Sequence, residues 1–385
     1  MLRKIIRSLM ERPDKDITNL ELAKAINYDD STISKWFRYE NELSFPAYLL
    51  SIRYLSPERE DELMDIIAEE MINTENRQNC RLMMEYASTR RNFPLLQKLI
   101  NSQRKAPRPN NDWAAIYDLS LKFQKREHPN EEILNMLIAY KPKTVETKVF
   151  LNILKINTLY MIGEYSYMLK LAKSTESDLE NITNTYIKET YTSRINEIFA
   201  RAYLYQRNDV KKARFFAKSI INSKFMCANY TSHLYHLLGT SYVFENRETS
   251  LNYFNNYVDI LRHQKRFDLV EEVQCLDIFF VNTYWGQTSC ENTTNNPLEL
   301  MHYYAKTGKV DLVEELYMSN KEFKNNPFAL CYLGMARSNP QLLLQSVANF
   351  IEDGNKFFAE IPRKQLEDYP DLSFSASVMC KIKIA

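Results

Sequence analysis

The sequence predicts an all-α protein. Glycine occurs only 6 times in 385 residues, where an average share of about 7% would give roughly four times as many. Phosphate-cradling loops, nucleotide folds and hairpin-rich sheets all use glycine freely. Apolar residues recur three and four positions apart in segments of about 12 to 20 residues, separated by short breaks holding Asn, Asp, Gly or Pro. Near the start, two short amphipathic segments flank a tight break. Together these predict an N-terminal helix-turn-helix domain followed by an α-solenoid of degenerate tetratricopeptide-like helical hairpins. Expected boundaries are 1–56 for the helix-turn-helix domain, 57–109 for linker helices and 110–385 for the tetratricopeptide-like domain.

Leu2, Ile5, Ile6 and Leu9 give a first helix ending before Pro13. From Asn19 to Arg38, Leu22, Ala23 and Ile26 line one face of a second helix, and Ile33, Trp36 and Phe37 line a third. Asn27 sits at the break, and Asn adopts the left-handed conformation at tolerable cost. Small Ala23 permits a close helix crossing, and Asp29 or Asp30 is expected to cap the third helix. This is the layout of a helix-turn-helix, whose second helix enters the major groove. Its outward residues Ser31, Thr32, Ser34, Lys35 and Arg38 suit bases and phosphates and are the candidate DNA-binding set. The other reading of the same pattern is a purely structural helical hairpin.

Phe45-Pro46 opens a fourth helix with Tyr48, Leu49, Ile52 and Leu55 inward. Ser56-Pro57-Glu58 is expected to cap another, carrying Leu63, Ile66, Ile67 and Met71. Further breaks are expected near 89–92, 106–111, 128–130, 140–143, Gly163, 207–209, 246–248, 286–297, Gly308, 325–327, 339–340 and Gly354. Val210 to Ile221 and Ser250 to Leu261 read most like tetratricopeptide helices. Arg77 to Arg108 is locally basic, and a solvated helix face is weighed there against extra phosphate contact.

Net charge is +1 at pH 7, so any affinity for nucleic acid must come from local charge. Six scattered cysteines without a Cys-x-x-Cys pair or a secretory leader suit reduced thiols, hence a cytoplasmic setting. No apolar run approaches the roughly 20 residues that a bilayer requires, so no membrane association is expected. No P-loop, dinucleotide fingerprint, His-Glu-x-x-His or nucleophile elbow is present, so no enzymatic activity and no cofactor are expected. His233 and His236 place two imidazoles on one helix face, but no third ligand stands at metal spacing. Cys275, in an apolar neighbourhood, reads as packed rather than reactive.

Amides, hydroxyls and cations recur on expected inner faces: Arg194, Asn196, Arg201, Tyr205, Asn229, Thr240, Asn246, Asn282 and Asn355. A groove lined this way suits an extended peptide, whose backbone amides such groups satisfy. Helix surface is the alternative for about half of them. Phe374, Val378, Ile382 and Ile384 alternate with polar residues and are candidates for a dimer contact.

The head Leu20 to Arg38 with Ser44-Phe45, the residues Tyr186-Ile187, Thr190-Tyr191 and Arg194, then Gly239, Ser241, Asn282, Asn355-Lys356-Phe357, Pro362 and Leu366 together resemble the arbitrium receptor (AimR) family of Bacillus phages. The resemblance implies a homodimer that reads a two-part double-stranded DNA operator. It also implies a short secreted peptide of about six residues, made from the adjacent gene, that alters DNA binding and shifts lysis towards lysogeny. The peptide-binding set it implies is Arg201, Tyr205, Asn229, Thr240, Val243, Asn355 and Phe357. Arg201, Tyr205, Asn229, Thr240 and Asn355 depart from the Asn, Arg, Asn and Asp of well-known members, so a different peptide is implied. A rival class is a peptide-regulated helical-repeat protein that binds a protein partner without binding DNA.

Overall fold

The computed structural model describes residues 2–12, 16–39, 43–287 and 293–381, with the Asn229 side chain also left out. Cys290, Ile382 and Ile384 therefore lie outside the described residues. Among the described residues every regular element is helical, as the scarcity of glycine predicts. The chain divides into two compact units, Met1–Ile195 with Ser223–Cys227, and Asn196–Asn222 with Ala228–Ala385.

The first unit opens with helices Leu2–Met10, Asn19–Ile26, Asp30–Arg38 and Phe45–Leu55. They close over a small core of Ile6, Leu22, Ala23, Ile26, Ile33, Trp36 and Leu49, all buried. Phe37, expected on the same face, is only half-buried, and Arg7 lies 4.8 Å over its ring. Two capping expectations need correction. Asp29 occupies the cap of Asp30–Arg38 with extended backbone but accepts no capping bond there; it is exposed, so water can serve the helix's first N–H groups. Ser56 does not cap a helix either. Its hydroxyl donates to the Glu58 carboxylate, and Pro57–Arg59 forms a 3₁₀ turn before helix Glu60–Asn73.

Successive helices then pack in pairs, among them Arg77–Arg90 on Phe93–Gln103 and Val145–Met161 on Tyr165–Leu179. The rings of Trp113, Tyr117, Phe150 and Tyr191 stack in series at 5.7, 4.4 and 5.3 Å. Beside them Arg194 donates from Nε to Glu85 Oε1 at 2.8 Å and from Nη2 to Oε2 at 3.1 Å, with Tyr117 Oη also on Glu85 at 2.8 Å. Arg194, expected on a groove face, is instead a core residue. Four cations of the basic stretch are paired with acids: Arg77 with Glu75, Arg90 with Glu60 and Asp61, Lys98 with Glu69 and Arg104 with Asp118.

In the second unit, Val210–Ile221 runs over the expected residues, with Ala213 and Ala217 buried. Arg247–His263 is longer than the expected Ser250 to Leu261, because Asn246 caps it from Oδ1 to the Thr249 N–H. It packs on Ala228–Tyr242 so closely that a Cβ on Gly239 would stand 2.9 Å from the Phe254 ring. Gly239→Ala should therefore cost about 1–3 kcal/mol through overpacking, read as a lower urea midpoint. Asn196 and Asn282, expected on a groove face, instead brace helices: Asn196 donates to Ser219 at 3.1 Å, and Arg247 donates to Asn282 Oδ1 at 2.7 Å. Two segments, Ala202–Gln206 and Gln274–Ile278, are π-helical.

Candidate functional site

In the head, Thr18 and Glu21 form a reciprocal capping box, with Glu21 N–H on Thr18 Oγ1 at 3.2 Å and Thr18 N–H on Glu21 Oε2 at 2.8 Å. The helix it starts ends at Asn27, whose φ of 56° and ψ of 51° are left-handed, as its residue type predicts. Tyr28 N–H then returns to Ala23 O at 2.9 Å. The sharp turn sets Asp30–Arg38 across its predecessor, held beneath by Ile33 and by Trp36 edge-on to Tyr48 at 5.7 Å.

The opposite face is polar. Ser31, Thr32, Lys35 and Arg38 are exposed; Ser34 is half-buried, its hydroxyl donating to Asp30 Oδ1 at 3.4 Å. Thus all five predicted DNA-binding positions lie on one short helix, with two cations in its last turn. Asp29 and Asp30, exposed at its start, carry the opposite sign.

The second unit holds a cavity of ≈ 140 Å³. Val243, Phe254, Leu276, Phe280, Leu298, Phe328 and Phe358 give it an apolar wall, and Thr240, Asp277 and Glu299 are its polar members. Of the predicted peptide-binding residues, Thr240 and Val243 line it; the Thr240 hydroxyl donates to His236 O at 3.0 Å. Phe357 does not line it. It is buried next door, stacked on Phe244 at 4.8 Å, while its neighbour Phe358 takes the wall position. Asn355 Oδ1 accepts from the Phe358 N–H at 3.3 Å and so orients that ring's backbone.

Tyr205 and the 355–357 turn are brought together by the first π segment. A π turn offsets the i→i−4 ladder and releases a carbonyl, and Tyr205 O accepts from Lys356 N–H at 2.7 Å and Phe357 N–H at 3.3 Å. Arg201 stands one residue before that segment and pairs with Glu197 at 2.8 Å. Asn229 belongs to Ala228–Tyr242, but its side chain lies outside the described residues.

Two acids at the cavity, Asp277 and Glu299, escaped the sequence reading. The second π segment carries Asp277 to the cavity, where it meets His236 Nε2 at 3.0 Å. Burial lowers the His236 pKa, but the Asp277 carboxylate outweighs it, and the net shift is upward. His233 sits 2.9 Å from Glu197 instead, so the two imidazoles are claimed by separate carboxylates. Burial, reinforced by Asp277, raises the pKa of Glu299 to about 8, leaving it largely uncharged near neutrality. Among the described residues its Oε2 has no hydrogen-bond partner, His302 Nδ1 standing 3.8 Å away, nor has either ring nitrogen of His302 or the hydroxyl of Tyr332. His302 stacks on Tyr332 at 4.7 Å, and burial lowers its pKa to about 3. The spacing of His233 and His236 was visible in sequence; the acids facing the cavity had no local signal.

The arrangement has the form of a binding cavity. An apolar wall with a few convergent polar groups is the usual form of a ligand pocket. Among the described residues no helix is long and apolar enough to cross a membrane.

A family model described as AimR transcriptional regulator-like matches residues 64–368. An uncharacterized protein of Bacillus anthracis is 27% identical over 233 residues, which are 58% of this chain and 85% of that protein. The AimR transcriptional regulator of Bacillus phage phi3T is 21% identical over 359 residues, 90% of this chain and 92% of that protein. The selenomethionine structure of phAimR gives a TM-score of 0.77 at 19% identity, covering 99% of this chain and 100% of that one. A structure of phAimR with ligand gives 0.66 at 20% identity, over 85% and 98%. With the family model spanning most of its length, this chain belongs to the AimR transcriptional regulator-like family.

Proposed function

We propose that the chain is a DNA-binding transcription regulator whose grip on DNA is set by a short peptide. In this reading residues 1–56 read a double-stranded operator, 57–109 link, and 110–385 sense the peptide and dimerise. Ser31, Thr32, Ser34, Lys35 and Arg38 contact DNA. The peptide, of about six residues in the related receptors, engages Arg201, Tyr205, Asn229, Thr240, Val243, Asn355 and Phe357, with the cavity taking one of its groups. The observation that carries the reading is the exposed polar face of Asp30–Arg38 beyond the left-handed Asn27.

Dimerisation supplies the two heads that a two-part operator requires. Phe374 and Val378, 72% and 43% exposed, stand one turn apart on helix Pro370–Lys381 and support a role there. The family's phage members support a lysis–lysogeny decision as the output.

The test is retention of the DNA upstream of this gene in a gel, with synthetic hexapeptides tiling the short exported frame beside it. Ser34, Lys35 and Arg38 changed together to Ala should weaken binding about 10-fold or more, and loss of two phosphate contacts should flatten the salt slope by about 2. A wild type that never retains the DNA at low salt, and whose melting no hexapeptide moves, defeats the reading. Asp29 and Asp30 favour the second reading, a protein-binding repeat without DNA contact, because exposed carboxylates oppose phosphate; retention failure with a peptide response would select it.

A further inference from the structure

The first unit contains a segment that the chain's order would not place there. Ser223–Cys227 joins Val210–Ile221 to Ala228–Tyr242, two helices of the second unit, yet its own contacts assign it to the first. Phe225, Met226 and Cys227 are buried in it. The Phe225 ring meets Tyr186 at 5.1 Å, and Tyr186 meets Phe45 at 5.2 Å, so three rings run from the segment to the first residue of the head's fourth helix. Ser223 Oγ donates to Glu189 at 2.7 Å.

At the other end of that helix, Arg53 uses its whole guanidinium. Nε and Nη2 donate to the two Glu60 oxygens at 3.1 Å each, and Nη1 donates to Lys224 O at 2.6 Å and Met226 O at 3.5 Å. Only a planar fork spans a carboxylate and a pair of carbonyls in this way. The head has its own core, and beyond packing it is tied down by polar anchors. One is Asn79, which bridges the Phe45 N–H and Leu43 O at 2.8 and 3.0 Å; another is Arg53.

We infer that Arg53 is the positioning residue through which the peptide's state reaches the DNA-reading head, with Ser223–Cys227 as the strap it holds. The inference rests on the peptide-gated reading above. Ala228–Tyr242 carries Thr240 on the cavity wall and continues directly from the strap. A ligand that favours one setting of that helix favours one setting of the strap's carbonyls, and Arg53 follows them. Arg53 lies on the same helix as Tyr48, whose ring abuts Trp36 of Asp30–Arg38, so the pose of the recognition helix follows in turn. Coupling of this kind requires only that the ligand bind the two settings unequally.

The experiment uses the full chain, the upstream DNA, and as probe the synthetic hexapeptide ending the short exported frame beside this gene. DNA affinity is measured with and without it, and its own affinity separately. In wild type the hexapeptide should change DNA affinity by about 5- to 150-fold. In Arg53→Met that ratio should fall below about 2-fold, while the peptide's Kd and the peptide-free DNA Kd each stay within about 3-fold of wild type. A merely structural residue would move those two constants instead. Arg53→Lys, able to serve the carboxylate or the strap but not both, should lie between.

Phe225→Leu keeps buried apolar volume in the strap but removes the ring contact, and it serves if Arg53→Met fails to fold; its ratio should fall at least about 3-fold. A wild-type ratio preserved in Arg53→Met, or in Phe225→Leu should the former not fold, overturns the strap alone. A wild type with no peptide response overturns the parent reading and the strap with it.

Discussion

Arg194→Met is expected to lower the free energy of unfolding by about 3–5 kcal/mol, because it strands a buried carboxylate. Glu85 has no exposed side-chain surface, and two of its partners' bonds, from Arg194 Nε and Nη2, vanish together. Tyr117 Oη remains as a donor, and burial, aggravated by the Glu85 charge, keeps that phenol's pKa well above its ordinary value. One neutral hydroxyl cannot replace a guanidinium fork. Ser88, which also accepts from Arg194 at 3.0 Å, loses that donor too. Arg194→Met should lower Tm by roughly 10 °C, measured by circular dichroism. Removing both charges in Arg194→Met with Glu85→Leu should cost less than Arg194→Met alone, since no buried charge is then left. A double variant as unstable as the sum of the two singles would show that packing, not charge, dominates the site.

That pair also marks what a sequence can and cannot show here. The helix pattern follows from local chemistry: Asn27 turns left-handed, Pro46 opens a helix, Asn246 caps one, and each choice depends on neighbours within four residues. The placement of Arg194 depends on Glu85, 109 positions away, and nothing local distinguishes an arginine that lines a groove from one buried against a distant acid. The same limit explains the cavity. Thr240 lies on a helix whose face is legible from period alone, Val243 stands just past its end, and both line the cavity. Asp277 reaches it through a π turn, which inserts a residue into the helical period and so shifts every later side chain around the axis. A count in steps of 3.6 residues loses register at Gln274–Ile278, as it does at Ala202–Gln206 beside Tyr205. Glu299 escaped because an acid in a helix's first turn ordinarily serves the dipole at the surface, whereas this one is only 8% exposed.

Glu299 and His302 together give an expected pH profile with a specific shape. The folded carboxyl holds its proton to about pH 8 against 4.5 when unfolded, so from 4.5 to 8 the folded state carries a proton that the unfolded chain has released. Its stabilisation is complete below the lower value and is lost as pH rises through the upper. His302 has the opposite sign. Its folded pKa of about 3 lies below 6.5, so between those values the unfolded chain binds the extra proton and stability rises with pH. Where the windows overlap, from 4.5 to 6.5, the two slopes cancel. From 6.5 to 8 only the Glu299 slope remains, and at about 1.4 kcal/mol per pH unit it removes roughly 2 kcal/mol. His236, favoured in its protonated form by Asp277, adds to that fall. The Glu299 share is isolated as the difference between wild type and Glu299→Gln, taken from urea unfolding at half-unit pH steps. Glu299→Gln should gain on wild type steadily across 4.5 to 8 and expose the His302 rise that the carboxyl had cancelled. A difference that does not change with pH would mean that Glu299 is ionised in the folded state, and the cavity would then present a charge where its wall indicates a neutral acid.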